Sequence, residues 1–108
     1  MTDAQVTVHA DDESARVTLH GEIDLSNARA VETEIFAALD NWLTAVSVDL
    51  TGLTYIDSAG LRILFALSKR LELLQISLDV VVSSDSVVRR VIELSGLPSQ
   101  VPLRIEPA

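Results

Sequence analysis

Apolar and polar residues alternate over Ala4–His9 (AQVTVH) and again over Ala15–Gly21 (ARVTLHG), with Asp11-Asp12-Glu13-Ser14 between them. Alternation sends successive side chains to opposite faces, so the two runs predict short strands joined by a polar turn, a hairpin. The period then lengthens. Ala28, Val31, Ile35, Ala38, Leu39 and Trp42 recur at helical spacing, with Arg29, Glu32, Glu34 and Asp40 mostly off that stripe. This spacing predicts a helix near 27–42, N-capped by the Ser26 hydroxyl. Val46, Val48 and Leu50 alternate with Ser47 and Asp49 and predict a third strand. Thr51–Ile56 reads as a glycine-containing loop leading into Asp57-Ser58-Ala59-Gly60, where a helix begins and runs to about Leu74. Its apolar residues surround most of the helix, so it is buried or keeps one face for a partner.

Ile76–Val82 (ISLDVVV) is β-branched and bounded by polar residues, which predicts a central strand. Ser83-Ser84-Asp85 opens a third helix, with Val87, Val88, Val91 and Leu94 inward and Arg89, Arg90 and Glu93 toward solvent. Gly96 caps its C-terminus and Pro98 prevents resumption. Val101, Leu103 and Ile105 alternate as a last strand, and Pro102 favours a sheet edge because it cannot donate to a ladder.

The order is β-β-α-β-α-β-α-β. It predicts an α/β fold, a single domain over residues 1–108, with largely parallel neighbouring strands after the hairpin. Alternating polar residues in the strands predict one sheet face covered by helices and the other partly open.

Composition narrows the function. Over 108 residues the chain carries 16 acids and 8 bases, a net charge of −8, with 48% hydrophobic residues and no cysteine. The apolar content supports a core and argues against disorder. The lack of cysteine excludes a disulfide frame, a zinc knuckle and a thiol nucleophile. One lysine and seven arginines make direct nucleic-acid binding a poor expectation. The longest apolar runs are about five residues, where a membrane span needs about 20, and no secretory signal opens the chain. The chain therefore reads as cytoplasmic, without membrane insertion. Charge is also uneven. Residues 1–57 hold eleven acids against Arg16 and Arg29, a balance of −9; residues 58–108 hold five acids against six bases, a balance of +1.

The segment Val48–Leu61, VDLTGLTYIDSAGL, is the most distinctive. It places Ser58 at or near a helix N-terminus, where unpaired N–H groups and the helix dipole tolerate negative charge. Gly60 offers no side chain and lets another molecule approach the backbone. A phosphate on Ser58 would add about −1.5 to −2 charges beside Asp57. Plain capping by Asp57 and Ser58 explains the same residues. In Gly21-Glu22-Ile23-Asp24-Leu25-Ser26, Asp24 is either a turn acid or part of a site at the same sheet edge as Asp57. No His, Cys or carboxylate set has metal-ligand spacing, and no phosphate loop, dinucleotide fingerprint or nucleophile elbow is present. No metal, cofactor or catalytic residue is expected, and His9 and His20 read as strand residues.

At GEIDLSNA (21–28) and VDLTGLTYIDSAGL (48–61), and at the late ELSGL (93–97), the sequence resembles the STAS-domain family, and within it the bacterial anti-sigma-factor antagonists. The resemblance covers nearly the whole chain. It implies a small α/β sandwich, a mixed sheet of four to five strands with helices mainly on one face. It implies that Ser58 is phosphorylated by a partner anti-sigma factor, a serine kinase of the GHKL ATPase type. The unphosphorylated form would bind that kinase and release a sigma factor; a PP2C-like phosphatase would restore it. Asp24, Asp57 and Gly60 fall on the family's motif positions around the acceptor. Ala59 stands where many antagonists carry a second Ser or Thr. Arg62, Phe65 and Lys69 of the second helix are the expected partner surface, and the same helix leaves a homodimer open. The serine is then a substrate and the protein is not an enzyme. The alternative under the same resemblance is a cytosolic STAS accessory subunit of an ABC-type lipid transporter. A stressosome-like scaffold is a third reading, disfavoured because such proteins commonly carry an extra N-terminal domain.

Overall fold

The computed structural model describes residues 2–107. Five strands form one sheet in the order β1 (Ala4–Ala10), β2 (Ser14–Ile23), β3 (Ala45–Ile56), β4 (Ser77–Ser83), β5 (Leu103–Glu106). The hairpin β1–β2 is antiparallel, and every later pair is parallel. The connections carry α1 (Ala28–Ala38), α2 (Ser58–Leu73) and α3 (Val87–Ser95). Strand order never reverses, so right-handed crossovers place all three helices on one face of the sheet. Element order, mixed sheet and one-sided helical layer are those the sequence predicts.

Alternation along the strands builds the core. Val17, Leu19, Val46, Val48, Leu50, Val80 and Val82 point toward the helices and are buried, where they meet Val31, Ile35, Ile63, Leu64, Leu67, Leu71, Val88 and Ile92. The intervening residues line the open face. Asp49 is buried there, accepts from Arg16 at 2.7 Å, and also accepts from the Thr51 amide and hydroxyl. Arg104 reaches Asp79 at 3.3 Å. Ser47 Oγ and Asp79 Oδ1 are buried and have no hydrogen-bond partner among the described residues.

The sequence expectations differ from the structure at several points. The helix expected near 27–42 stops at Ala38, because Leu39 turns extended (φ −100°, ψ 128°) and the chain must swing back to enter β3. Leu43 then fills the core position, and Trp42 is 64% exposed. Ser26 does not cap α1; the N-cap position is Asn27, and Ser26 bonds Asp24 instead. In α3 the cap is Ser86, which accepts from the amides of Val88 and Arg89. That phase turns Val88 and Ile92 inward and leaves Val87 and Leu94 outside. The last strand is shifted to Leu103–Glu106, after a 3₁₀ turn at Leu97–Ser99, and Val101 is buried ahead of it. The supposed loop at 51–56 is strand. β3 runs to Ile56, while its pairing with β4 ends at Asp49↔Val81. Beyond that point, among the described residues, β3 pairs only with β2, from His20↔Gly52 to Ile23↔Ile56.

Candidate functional site

The projecting ends of β2 and β3 define the site. Ile23 and Ile56 are register partners, and the Asp57 amide donates to the Ile23 carbonyl at 3.3 Å. The GEID and DSAG segments, far apart in sequence, therefore leave the sheet side by side. Gly21 permits this on the β2 side. It has φ +97°, a conformation L side chains rarely adopt, and its backbone lies against Asp3, whose carbonyl accepts from the Glu22 amide at 2.9 Å.

Asp24 organises the turn from β2 into α1. Its Oδ1 accepts from the Ser26 amide at 2.8 Å and hydroxyl at 2.6 Å, and its Oδ2 from the Thr2 hydroxyl at 2.5 Å. The Ser26 hydroxyl, then Thr2, hold its carboxyl below the ordinary aspartate range. Asn27 ties the same turn, its Oδ1 accepting from the Asp24 amide and its Nδ2 donating to the Glu22 carbonyl.

Asp57 is the N-cap of α2. Its Oδ1 accepts from the Ala59 amide at 2.9 Å and the Gly60 amide at 3.2 Å, so two of the helix's orphan donors are satisfied by one carboxylate. Ser58 follows as the first helical residue and is exposed. Among the described residues no hydrogen bond engages its hydroxyl. The two capping candidates thus separate: Asp57 caps, and Ser58 Oγ is left free at the positive end of a 16-residue helix.

Gly60 is not an approach point for another molecule. It is buried, and a Cβ there would lie 2.5 Å from Ile56 Cγ1 and 3.1 Å from Ile23 Cγ2. The close approach it permits is internal: the first turn of α2 settles on the two strand-end isoleucines.

The helix then displays one stripe outward. At 100° per residue, Ser58, Arg62, Phe65, Lys69 and Leu73 fall along one side, opposite Ile63, Leu64, Leu67 and Leu71, which are buried. Arg62 and Lys69 are exposed and Leu73 is 78% exposed. Phe65 is half-buried and packs against the core, so it is less available than the sequence suggests. Apolar residues do not ring the helix evenly; one face is core and a second carries this mixed stripe.

Two residues missed by the sequence reading line a cleft with Ala59 and Arg62, the neighbours of Ser58 at one and four positions along α2. A cleft of about 210 Å³ between α1 and α2 is lined by Leu25, Ala28, Arg29, Glu32, Ala59 and Arg62. Leu25 is 83% exposed at its edge. Its position in the turn after Asp24, off any strand or helix period, is the only signal the sequence offered. Arg29, already off the α1 core stripe, faces Arg62 across the cleft.

The STAS domain family model matches residues 5–107. The anti-sigma-F factor antagonist RsfB of Mycobacterium tuberculosis is 38% identical over 92 residues, which span 85% of this chain and 74% of RsfB. The crystal structure of an anti-sigma factor antagonist from Mycobacterium paratuberculosis superposes with a TM-score of 0.83 at 31% identity, covering 94% of this chain and 86% of that one. The unphosphorylated form of the anti-sigma factor antagonist SpoIIAA gives a TM-score of 0.74 at 21% identity, over 96% of this chain and 88% of its own, and shares the fold.

Proposed function

The chain belongs to the STAS-domain family, and from that membership we propose that it is an anti-sigma-factor antagonist switched by phosphorylation of Ser58. The observation that carries this reading is the division of labour at the α2 N-terminus: Asp57 holds the cap, and the exposed Ser58 hydroxyl makes no hydrogen bond among the described residues. The names of the relatives, RsfB among them, support the same function. No described helix is long and apolar enough to cross a membrane, which suits a cytoplasmic regulator.

The unphosphorylated protein presents Leu25, Ser58 and the Arg62–Lys69 stripe to an anti-sigma factor and so releases a sigma factor. That anti-sigma factor is a serine kinase of the GHKL type. It transfers the γ-phosphoryl group of ATP to Ser58 Oγ, the hydroxyl proton passes to a base on the kinase, and ADP leaves. The phosphorylated face is rejected, and a PP2C-like phosphatase hydrolyses the ester to restore binding. Phosphorylation takes the net charge from −8 to about −10, and places the increment next to Asp57.

Phosphorylation with the cognate kinase, ATP and Mg²⁺, followed by mass spectrometry, tests the proposal. One phosphate on Ser58 is expected in the wild type. Ser58→Asp is expected to bind the kinase more weakly, and equal affinity of the two proteins would remove the charge-switch account. Recovery of a transporter ATPase, and no anti-sigma factor, with the Ser58→Ala protein would favour the transporter-subunit alternative.

A further inference from the structure

The acids and bases around Ser58 are not equally occupied. Asp57 is committed to the Ala59 and Gly60 amides, and Asp24 to Thr2 and Ser26. Arg62 and Arg29, by contrast, make no ion pair among the described residues, although Glu32 lines the same cleft. Arg62 is four residues beyond Ser58 on α2, the spacing at which side chains meet along a helix, with Cβ atoms roughly 5–6 Å apart. Long helical side chains lean toward the N-terminus, so an Arg62 guanidinium sweeps back over the turn that holds Ser58. An anion N-terminal to a cation at this spacing is also the favourable orientation.

Resting on the reading of Ser58 as phosphoacceptor, we infer that Arg62, seconded by Arg29 from α1, forms an intramolecular clamp for the phosphate on Ser58. The guanidinium fork matches phosphate oxygens in charge and geometry. Clamping folds Arg62 back along the outer stripe onto Ser58, over the Ala59 end of the cleft. The off state is then a rearranged surface with a neutralised phosphate, and not repulsion alone. The charged groups that bear on the phosphate are Asp57 on its own helix, Asp24 at the end of β2, and Arg29 and Glu32 on α1.

The test uses the full chain with phosphoserine genetically encoded at position 58 and the phosphate titrated by ³¹P NMR. Arg62→Gln is expected to raise the second phosphate pKa by about half a unit or more, roughly a threefold or larger change in proton affinity. Arg29→Gln is expected to give a smaller rise, and the α3 control Arg90→Gln none. A phosphate pKa equal in wild type and Arg62→Gln overturns the clamp. Slowed exchange of the Arg62 Nε–H on phosphorylation supports it, and an unchanged Arg62 signal overturns it. Since no kinase is needed to install the phosphate, failure of the clamp and failure of the kinase reading are told apart.

Discussion

Replacing Gly60 with alanine sets two energies against each other. Alanine is favoured over glycine inside a helix by about 1 kcal/mol. The added Cβ, however, would sit 2.5 Å from Ile56 Cγ1 and 3.1 Å from Ile23 Cγ2. Ordinary carbon contacts begin near 3.5 Å, so a displacement of about 1 Å is required. Ile56 cannot supply it cheaply. It is 4% exposed, its branch point is fixed by the strand, and its neighbour Ile23 is 1% exposed. Overpacking of this kind costs about 3 kcal/mol, the upper part of the usual range. The net loss is therefore about 2 kcal/mol, which lowers a urea midpoint by about 1–2 M for a domain of this size. A double-mutant cycle isolates the cause. Ile56→Ala is itself costly, about 2–5 kcal/mol, but in that background Gly60→Ala should become neutral or stabilising by up to about 1 kcal/mol. Equilibrium urea unfolding by circular dichroism reads both. A Gly60→Ala protein as stable as the wild type, with Ile56 present, would refute the packing account of this motif glycine.

Asp57→Ala should cost about 1 kcal/mol, because two first-turn amides lose their acceptor, whereas Ser58→Ala should leave the urea midpoint nearly unchanged. Asp49 gives a pH signature. Its largest influence, burial, pushes the carboxyl up, but the Arg16 and Thr51 hydrogen bonds outweigh it and hold the folded value below the ordinary 3.8. Its contribution is thus present above that value and is lost as pH falls through the lower folded one. Wild type should exceed Asp49→Asn in stability at pH 7, with the gap closing below about pH 4 in thermal melts taken across pH. Ser47→Ala removes a buried hydroxyl without a partner and should be neutral or slightly stabilising by differential scanning calorimetry.

Period and punctuation exposed most of the architecture. β1 and β2 alternate because one face is core, β4 reads as a β-branched run because Val80, Val81 and Val82 are all buried, and Gly96, at φ +87°, terminates α3 where expected. The discrepancies have a common physical source: local pattern does not set where an element yields to tertiary demand. Trp42 continues a helical period that the chain abandons at Leu39 in order to start β3. Leu94 fits an apolar count but not the phase set by the Ser86 cap. Thr51–Ile56 reads as a loop by composition, yet the GEID segment gives it a strand partner 32 residues earlier in the chain at Gly21↔Leu53.

The candidate site was legible in its residues and illegible in its roles. Asp57, Ser58 and Gly60 stand out in sequence, but only the geometry assigns the cap to Asp57 and turns Gly60 inward against Ile56. Leu25 lies within the GEIDLSNA motif without a role of its own there, Arg29 lies just beyond it, and both emerge only where α1 faces α2.

The central claim is that Ser58 Oγ is free to receive phosphate because Asp57 already carries the helix cap. The most direct measurement is mass-spectrometric mapping after reaction with the cognate anti-sigma kinase, ATP and Mg²⁺, on wild type and Ser58→Ala side by side. The account predicts a single phosphate on Ser58 in the wild type and none on a Ser58→Ala protein of unchanged stability. Equal phosphate incorporation in the two proteins would contradict it.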